Sequence, residues 1–342
     1  MERLLTDLLQ HQDNRLRFFD MGRRVSKLST DIFRQVEQHQ CPYPLPFLHQ
    51  AWVGLLLWNS KDKQQSMIWF LKLPLDEQGY LIQAARDDLV NRILQNALAA
   101  EAQDDALKDN PFAFTPDPEK MAAFHAQATR ILANPASVYY ERVEDYLSGQ
   151  LPLDTWPDLG LQGIADYLAR LDQSSHLDHL CRILPQLPAE PLQMLTRQLE
   201  HVEPDFQLLQ ALEQCLDQQM QAHALPEVIA ALLRGLSNAR ELPLKQKLIE
   251  AVLHSDYALE PEVILALGTR CTQSLQEPST LQLFLERLAA GKAGQLGFNR
   301  VLTDLMFLPK LRSLILASFR DPQRSQVLSS AIGAFLQPTS AH

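Results

Sequence analysis

Hydrophobic and polar positions follow two different periods in the early part of the chain. Arg15 to Phe19 alternates residue by residue, as a strand with one buried face does. From Val25 to Gln38 the apolar positions fall at Leu28, Ile32, Phe33 and Val36, which line one side of a helix. Three prolines in Cys41-Pro-Tyr-Pro-Leu-Pro46 forbid a helix there and predict an extended connector. Trp52 to Trp58 and Met67 to Leu73 are short aromatic and aliphatic runs around the polar stretch Asn59 to Ser66, which reads as a hairpin with a long loop. Their near-continuous apolar character predicts strands covered on both faces. The covering elements expected are the helix before the hairpin and a second helix from Gln83 to Leu98. Three of the four tryptophans (Trp52, Trp58, Trp69) fall in the hairpin, where core packing is the expected role.

A change of pattern follows. Glu101 to Pro118 is polar, acidic and interrupted by prolines, and Asp117-Pro118-Glu119 supplies an N-cap, a proline for the first helical position and a first-turn acid. Beyond it only helical periodicity remains. Pro226-Glu-Val-Ile-Ala-Ala-Leu232 recurs as Pro261-Glu-Val-Ile-Leu-Ala-Leu267 at a spacing of 35, and at the same offset Pro243 matches Pro278 and Leu253 matches Leu288. A further step back reaches Pro191, which opens another amphipathic stretch. Val228, Ile229, Leu232, Leu233 and Leu236 make a stripe too wide for a two-stranded coiled coil and suited to a helix packed on two sides. The expectation is a mainly α protein: a small α+β domain over residues 1–105, a linker over 106–118, and a HEAT-like helical repeat array, an α-solenoid, over 119–338.

Composition narrows the function classes. The chain has 342 residues, 46% of them hydrophobic, with 41 acids against 31 bases for a net charge of −10. That balance lacks the clustered Lys and Arg on which nucleic-acid binding depends. Cys41, Cys181, Cys215 and Cys271 are too far apart for a CxxC redox or zinc pair. Met1 to Leu9 mixes Glu2, Arg3 and Asp7 with its leucines, so it reads as a short amphipathic helix rather than a secretory signal. No apolar run approaches the roughly 20 residues that cross a bilayer. Together these readings place the protein in the cytoplasm, away from membranes and nucleic acid. Divided at residue 110, the charges are 13 basic against 15 acidic before it and 18 against 26 after it. The acidity therefore belongs mostly to the helices, and a charged partner of the array is expected to be basic.

Candidate chemistry is sparse. The sequence contains no GxGxxG or P-loop, no GxSxG elbow and no HExxH. No cofactor, metal site or catalytic residue is predicted. His176-Leu-Asp-His179-Leu-Cys181 would offer a metal two ligands from one helix at most, and its histidines are expected on an exposed helix surface. Tyr139, Tyr140 and Tyr146 are expected to pack between helices. Two polar clusters sit at strand ends, where loops held by a sheet often carry sites. One is Asp20 with Arg23 and Arg24 around Gly22, and the other is Asp76 with Glu77 before Gly79. Each reads first as a solvated turn, because neither contains a nucleophile with an attendant base.

Phe19-Asp-Met-Gly-Arg-Arg-Val25, Pro42-Tyr-Pro-Leu45, Ile68-Trp-Phe-Leu-Lys72 with Leu75-Asp-Glu77, and Leu161-Gln-Gly-Ile-Ala-Asp166 occur in order. On these motifs the chain resembles, over nearly its whole length, a bacterial family of similar size described only as a domain of unknown function. The resemblance implies no activity, cofactor or site residue. The expected function is a protein-interaction scaffold that uses the helical surface for a protein or peptide. The alternative is an enzyme or small-ligand sensor with its site in the amino-terminal domain or at its junction with the helices, built from Asp20, Arg23, Asp76 and Glu77.

Overall fold

The computed structural model describes residues 4–10, 13–98, 110–173, 175–240 and 243–337. Residues 1–3 of the expected first helix, residues 106–109 of the expected linker and residue 338 lie outside the described residues. Described residues up to Phe124, with Ala128–Asn134 and Phe307–Pro309, form one compact unit. His125–Gln127, Pro135–Met306 and the described residues from Lys310 onward form a second.

The first unit runs α1 (Leu5–Leu9), β1 (Asn14–Asp20), β2 (Ser26–Leu28), α2 (Thr30–Glu37), β3 (Gln50–Asn59), β4 (Ser66–Pro74), α3 (Gln83–Leu98) and α4 (Pro118–Leu132). The strands form one antiparallel sheet in the order β2-β1-β3-β4. The predicted hairpin is β3 and β4, with Leu55 opposite Trp69 and Val53 opposite Leu71. Val25 to Leu28 does not begin the helix. Those residues turn back along β1, with Leu28 opposite Phe18, and α2 starts at Thr30. The helical spacing misled because Leu28 is buried as a strand residue, while Ile32 is 41% exposed.

Alternation in the strands sorts the core into two layers. Leu16, Phe18, Val53, Leu55, Leu71 and Leu73 pack with Leu5, Phe33, Val36, Leu89 and Ile93, so α1, α2 and α3 all lie on one face. The opposite face, which carries Phe19, Leu56 and Trp58, is covered by Ala123, Phe124, Ala128 and Leu132 of α4. The two helices expected to sandwich the sheet thus share a side, and the second cover comes from later in the chain. Gly54 explains the fit. It lies between Phe19 and Phe70 in register, and a Cβ there would stand 2.7 Å from the Phe124 ring. Phe124 meets both neighbours edge-on, at centroid distances of 5.1 Å to Phe19 and 4.9 Å to Phe70. Asp117 caps α4 through the Lys120 N–H, as its sequence predicted. Just before it, the Lys72 N–H donates to the Phe112 carbonyl and the Phe114 N–H to that of Phe70, so this stretch pairs with the outer edge of β4.

The second unit is a two-row helical array. One row contains α6 (Leu161–Leu168), α8 (Ala189–Leu199), α10 (Pro226–Ser237), α12 (Pro261–Arg270) and α14 (Gly294–Met306), each packed on the next. The other contains α5 (Tyr140–Ser148), α7 (His176–Ile183), α9 (Phe206–Gln221), α11 (Pro243–His254), α13 (Pro278–Ala290) and α16 (Gln326–Leu336), with α15 (Pro309–Ser318) between α14 and α16 in sequence. The prolines matched at offset 35 open equivalent helices, α10 with α12 and α11 with α13. The whole α10 stripe is buried, from Val228 to Leu236.

Polar bonds repeat the period. Lys247 reaches Glu213, Gln246 reaches Thr280 and Arg287 reaches the Leu253 carbonyl, each across 34 residues. At the centre of the first row Glu200 is buried. Arg234 grips it with Nε at 2.7 Å and a terminal nitrogen at 3.0 Å, and Arg270 Nε adds a contact at 3.0 Å. Gly235, midway between Glu200 and Arg270 at the 35-residue offset, also lets α10 close on Thr196 of α8, 3.2 Å from where a Cβ would stand. Burial alone would raise the Glu200 carboxyl, but the Arg234 hydrogen bonds and the charge of Arg270 overcome it and pull the pKa to about 2. A carboxylate depressed in this way contributes stability above its ordinary value of 4.5 and loses it as pH falls toward 2. Glu200→Gln, which leaves two arginines facing a neutral amide, is expected to cost about 3–5 kcal/mol at neutral pH. Urea unfolding of wild type and variant across acid pH checks this, the two curves converging at low pH.

Candidate functional site

A buried polar cluster closes one end of the sheet in the first unit. Asp20 is the last residue of β1, and Met21 and Gly22 carry the chain around the turn. The Gly22 N–H donates to Asp20 Oδ2 at 3.2 Å, and the Tyr43 hydroxyl donates to Oδ1 at 2.7 Å. Tyr43 comes from the proline-bounded connector and is itself held by its N–H on the Gly79 carbonyl. Its hydroxyl also lies 3.3 Å from the Trp52 carbonyl, which accepts the Met21 N–H at 2.8 Å. Arg23 is buried, with one guanidinium nitrogen on the Pro46 carbonyl and its charge over the Phe47 ring. Lys120 of α4 donates to the Gly22 carbonyl at 2.7 Å. Glycine at 22 gives the turn room, because a Cβ there would stand 3.0 Å from that of Phe47 and would push against it.

The connector ends in a tight turn. Phe47 and Gln50 exchange N–H to carbonyl bonds, and Leu48 and His49 between them have φ of 50° and 61°. A two-residue hairpin turn of this twist normally takes Asn and Gly, so a Leu-His pair stores backbone strain of about 1–3 kcal/mol per residue. The Trp52 indole N–H fastens the turn by donating to the Phe47 carbonyl at 2.8 Å.

The sequence reading of a solvated Asp20 turn does not hold, since Asp20 is 1% exposed. Its cover comes from Tyr43 and Lys120, remote in sequence, which is why the local pattern could not show it. Arg24 is half-buried next to this cluster. Asp76 and Glu77 belong to a different turn. Asp76 accepts the N–H groups of Gln78 and Tyr80, both at 2.9 Å, around Gly79 with φ 84°, and Glu77 is exposed. The two predicted clusters are linked through Tyr43 rather than merged. Tyr43 and Lys120 escaped the sequence reading, and the only signal was a tyrosine fixed between two prolines, while Trp52 was read as core and instead also holds the turn through its indole N–H. Of the hairpin tryptophans, Trp58 and Trp69 are buried and Trp52 is half-buried.

Burial pushes the Asp20 carboxyl up from 3.8 to about 7, against the opposing hydrogen bonds of Tyr43 and Gly22 and the charges of Arg23 and Lys120. The Tyr43 hydroxyl is raised as well, by burial and by Asp20. Both Asp20 oxygens are occupied by protein donors, so a reacting molecule would have to displace the connector to reach them.

A second cluster surrounds α7. His176 was expected on an exposed surface and is buried instead. Its Nε2 lies 2.7 Å from the Tyr140 hydroxyl and 3.3 Å from Glu144, and its ring packs on Tyr167 at 4.5 Å. The apolar positions around it draw α7 against α5, which covers a residue that the local sequence leaves open. His179 is half-buried. Tyr146 packs in the core as expected, whereas Tyr139 is 55% exposed. The Leu161-to-Asp166 motif forms the contact between α6 and the start of α5. Gly163 lets α6 approach Tyr139, whose carbonyl would be 2.4 Å from a Cβ, and the buried Asp166 accepts the Ser137 N–H at 2.9 Å. Its role is to fasten the start of α5.

A family model described as "Protein of unknown function (DUF3549)" matches residues 3–336. The chain belongs to that family. No curated protein and no solved structure matches it. In this DUF3549 chain the motifs that carry the resemblance build the Asp20 cluster, the sheet and the α5–α6 contact. An acid whose pKa is raised on folding has the opposite linkage to Glu200: the native state keeps its proton between pH 3.8 and about 7 while the unfolded chain has lost it. This contribution is complete below 3.8 and is lost as pH rises through about 7. Asp20→Asn is therefore expected to flatten the fall in melting temperature from acid to neutral pH, which calorimetry over that range checks.

Proposed function

We propose that the chain is a cytoplasmic interaction scaffold whose HEAT-like helical array receives a protein or peptide partner. The observation that carries this reading is the array itself, in which successive helices bury their apolar stripes on one another and repeat their outer positions. Glu190, Glu227 and Glu262 stand exposed in the first turns of α8, α10 and α12. These acids complement the helix dipoles, and together with the acidic excess after residue 110 they support a basic partner. The reading is consistent with the described residues, none of whose helices is long and apolar enough to cross a membrane. Affinity capture with wild type and with Glu190→Lys/Glu227→Lys/Glu262→Lys, read by quantitative mass spectrometry, tests it. A basic protein recovered with wild type and lost with the variant is the expected result. Recovery of the bait alone, or of the same proteins with both, sinks the proposal.

A second reading, a small-ligand sensor using Asp20, Arg23, Arg24, Asp76 and Glu77, is supported by the buried carboxyl of Asp20. A ligand at 100 times its dissociation constant would add about 2.7 kcal/mol of stability, so a thermal-shift screen against nucleotides and metabolites is the measurement, with no shift across the set counting against it.

A further inference from the structure

We propose that Asp20, Tyr43 and the Trp52 carbonyl form a proton-operated hydrogen-bond switch that sets how the 41–50 connector is held. Tyr43 Oη lies within reach of two acceptors, Asp20 Oδ1 at 2.7 Å and the Trp52 carbonyl at 3.3 Å, and it has a single proton to give. With Asp20 ionised, that proton goes to the carboxylate. With Asp20 protonated, the acid donates its own proton to Tyr43 Oη, and the hydroxyl turns to the Trp52 carbonyl. The change takes up one proton from solvent in one direction and returns it in the other, and the one covalent bond made or broken is the O–H of the Asp20 carboxyl.

The surroundings make this change consequential. Asp20 is faced by Arg23 from its own turn, Lys120 from α4 and Tyr43 from the connector. Arg23 also holds the Pro46 carbonyl and the Phe47 ring, so a charge on Asp20 alters the pull on the residue that fastens the strained Leu48-His49 turn. Trp52 closes the circuit. Its carbonyl is one of the two Tyr43 acceptors, and its indole N–H binds Phe47 on the same turn. The carboxyl is poised to titrate near neutrality because burial opposes its charge. The signal is thus a proton, and the responding element is a strained loop at the end of the sheet.

The test uses the full chain, labelled with 13C at the aspartate carboxyls and 15N at the tryptophan indoles, and titrated by NMR between about pH 5 and about pH 9. In wild type the Asp20 carboxyl signal is expected to move with a midpoint near neutrality, and the Trp52 indole signal to move with it. Tyr43→Phe should leave Asp20 titrating but abolish the Trp52 response, because it removes the hydroxyl that changes acceptor. Asp20→Asn should remove both. A wild-type Asp20 carboxyl signal that stays at its ionised position across that range, as one titrating near the ordinary 3.8 would, overturns the proposal even if neither variant folds. So does a Trp52 response in Tyr43→Phe equal to that of wild type.

Discussion

Gly54 leaves a notch in the middle of β3, and the ring of Phe124 fills it. That contact shows the constraint under which the chain folds: no element here can bury its own apolar surface. The sheet is apolar on both faces, and the three helices nearest in sequence cover only one of them. The other face must take a helix from beyond the acidic stretch, and α4 satisfies that demand with Ala123, Phe124, Ala128 and Leu132. The same requirement governs the array. α10, buried along its whole stripe, has apolar neighbours on both sides in its row and beneath it, so an isolated pair from this region would expose much of what now forms its core.

Once apolar surface is shared in this way, buried polar groups fix the arrangement. Glu37 accepts the N–H groups of Leu5 and Thr6 and so caps α1 from α2, while its carbonyl accepts Arg86 of α3. Three helices on one face of the sheet are thereby tied to one residue. Asp20 does the same for β1, the connector and the Gly22 turn, and Glu200 does it for α8, α10 and α12. The two carboxyls shift in opposite directions because their neighbours differ. At Glu200 the hydrogen bonds of Arg234 and the charge of Arg270 outweigh desolvation, whereas at Asp20 the hydrogen bonds of Tyr43 and Gly22 and the charges of Arg23 and Lys120 do not.

Regular elements were legible where one period dominated. The helix from Gln83 to Leu98, the hairpin and the prolines opening α10, α11, α12 and α13 could all be read from spacing, because each depends on local backbone chemistry and a repeated face. Val25 to Leu28 could not, since four residues compatible with either period are decided by the strand they pair with. The candidate site was legible in part. Asp20 and Arg23 were marked by their position at a strand end, but their burial depends on Tyr43 and Lys120, which are brought in by a proline-rich connector and a helix about 100 residues away. His176 is a similar case, since its spacing with His179 describes one helix and says nothing of the tyrosines on α5 and α6 that enclose it.

By itself the sequence determined the mainly α composition, the small sheet ahead of a helical array, the period of 35 and the acidic balance of the helices, all of which are properties of spacing and counting. Tertiary structure alone decided which helix covers which face of the sheet, which carboxyls are buried and in which direction their neighbours shift them. Those outcomes depend on desolvation and on partners remote in sequence, and both exist only after distant segments have closed over the same few side chains.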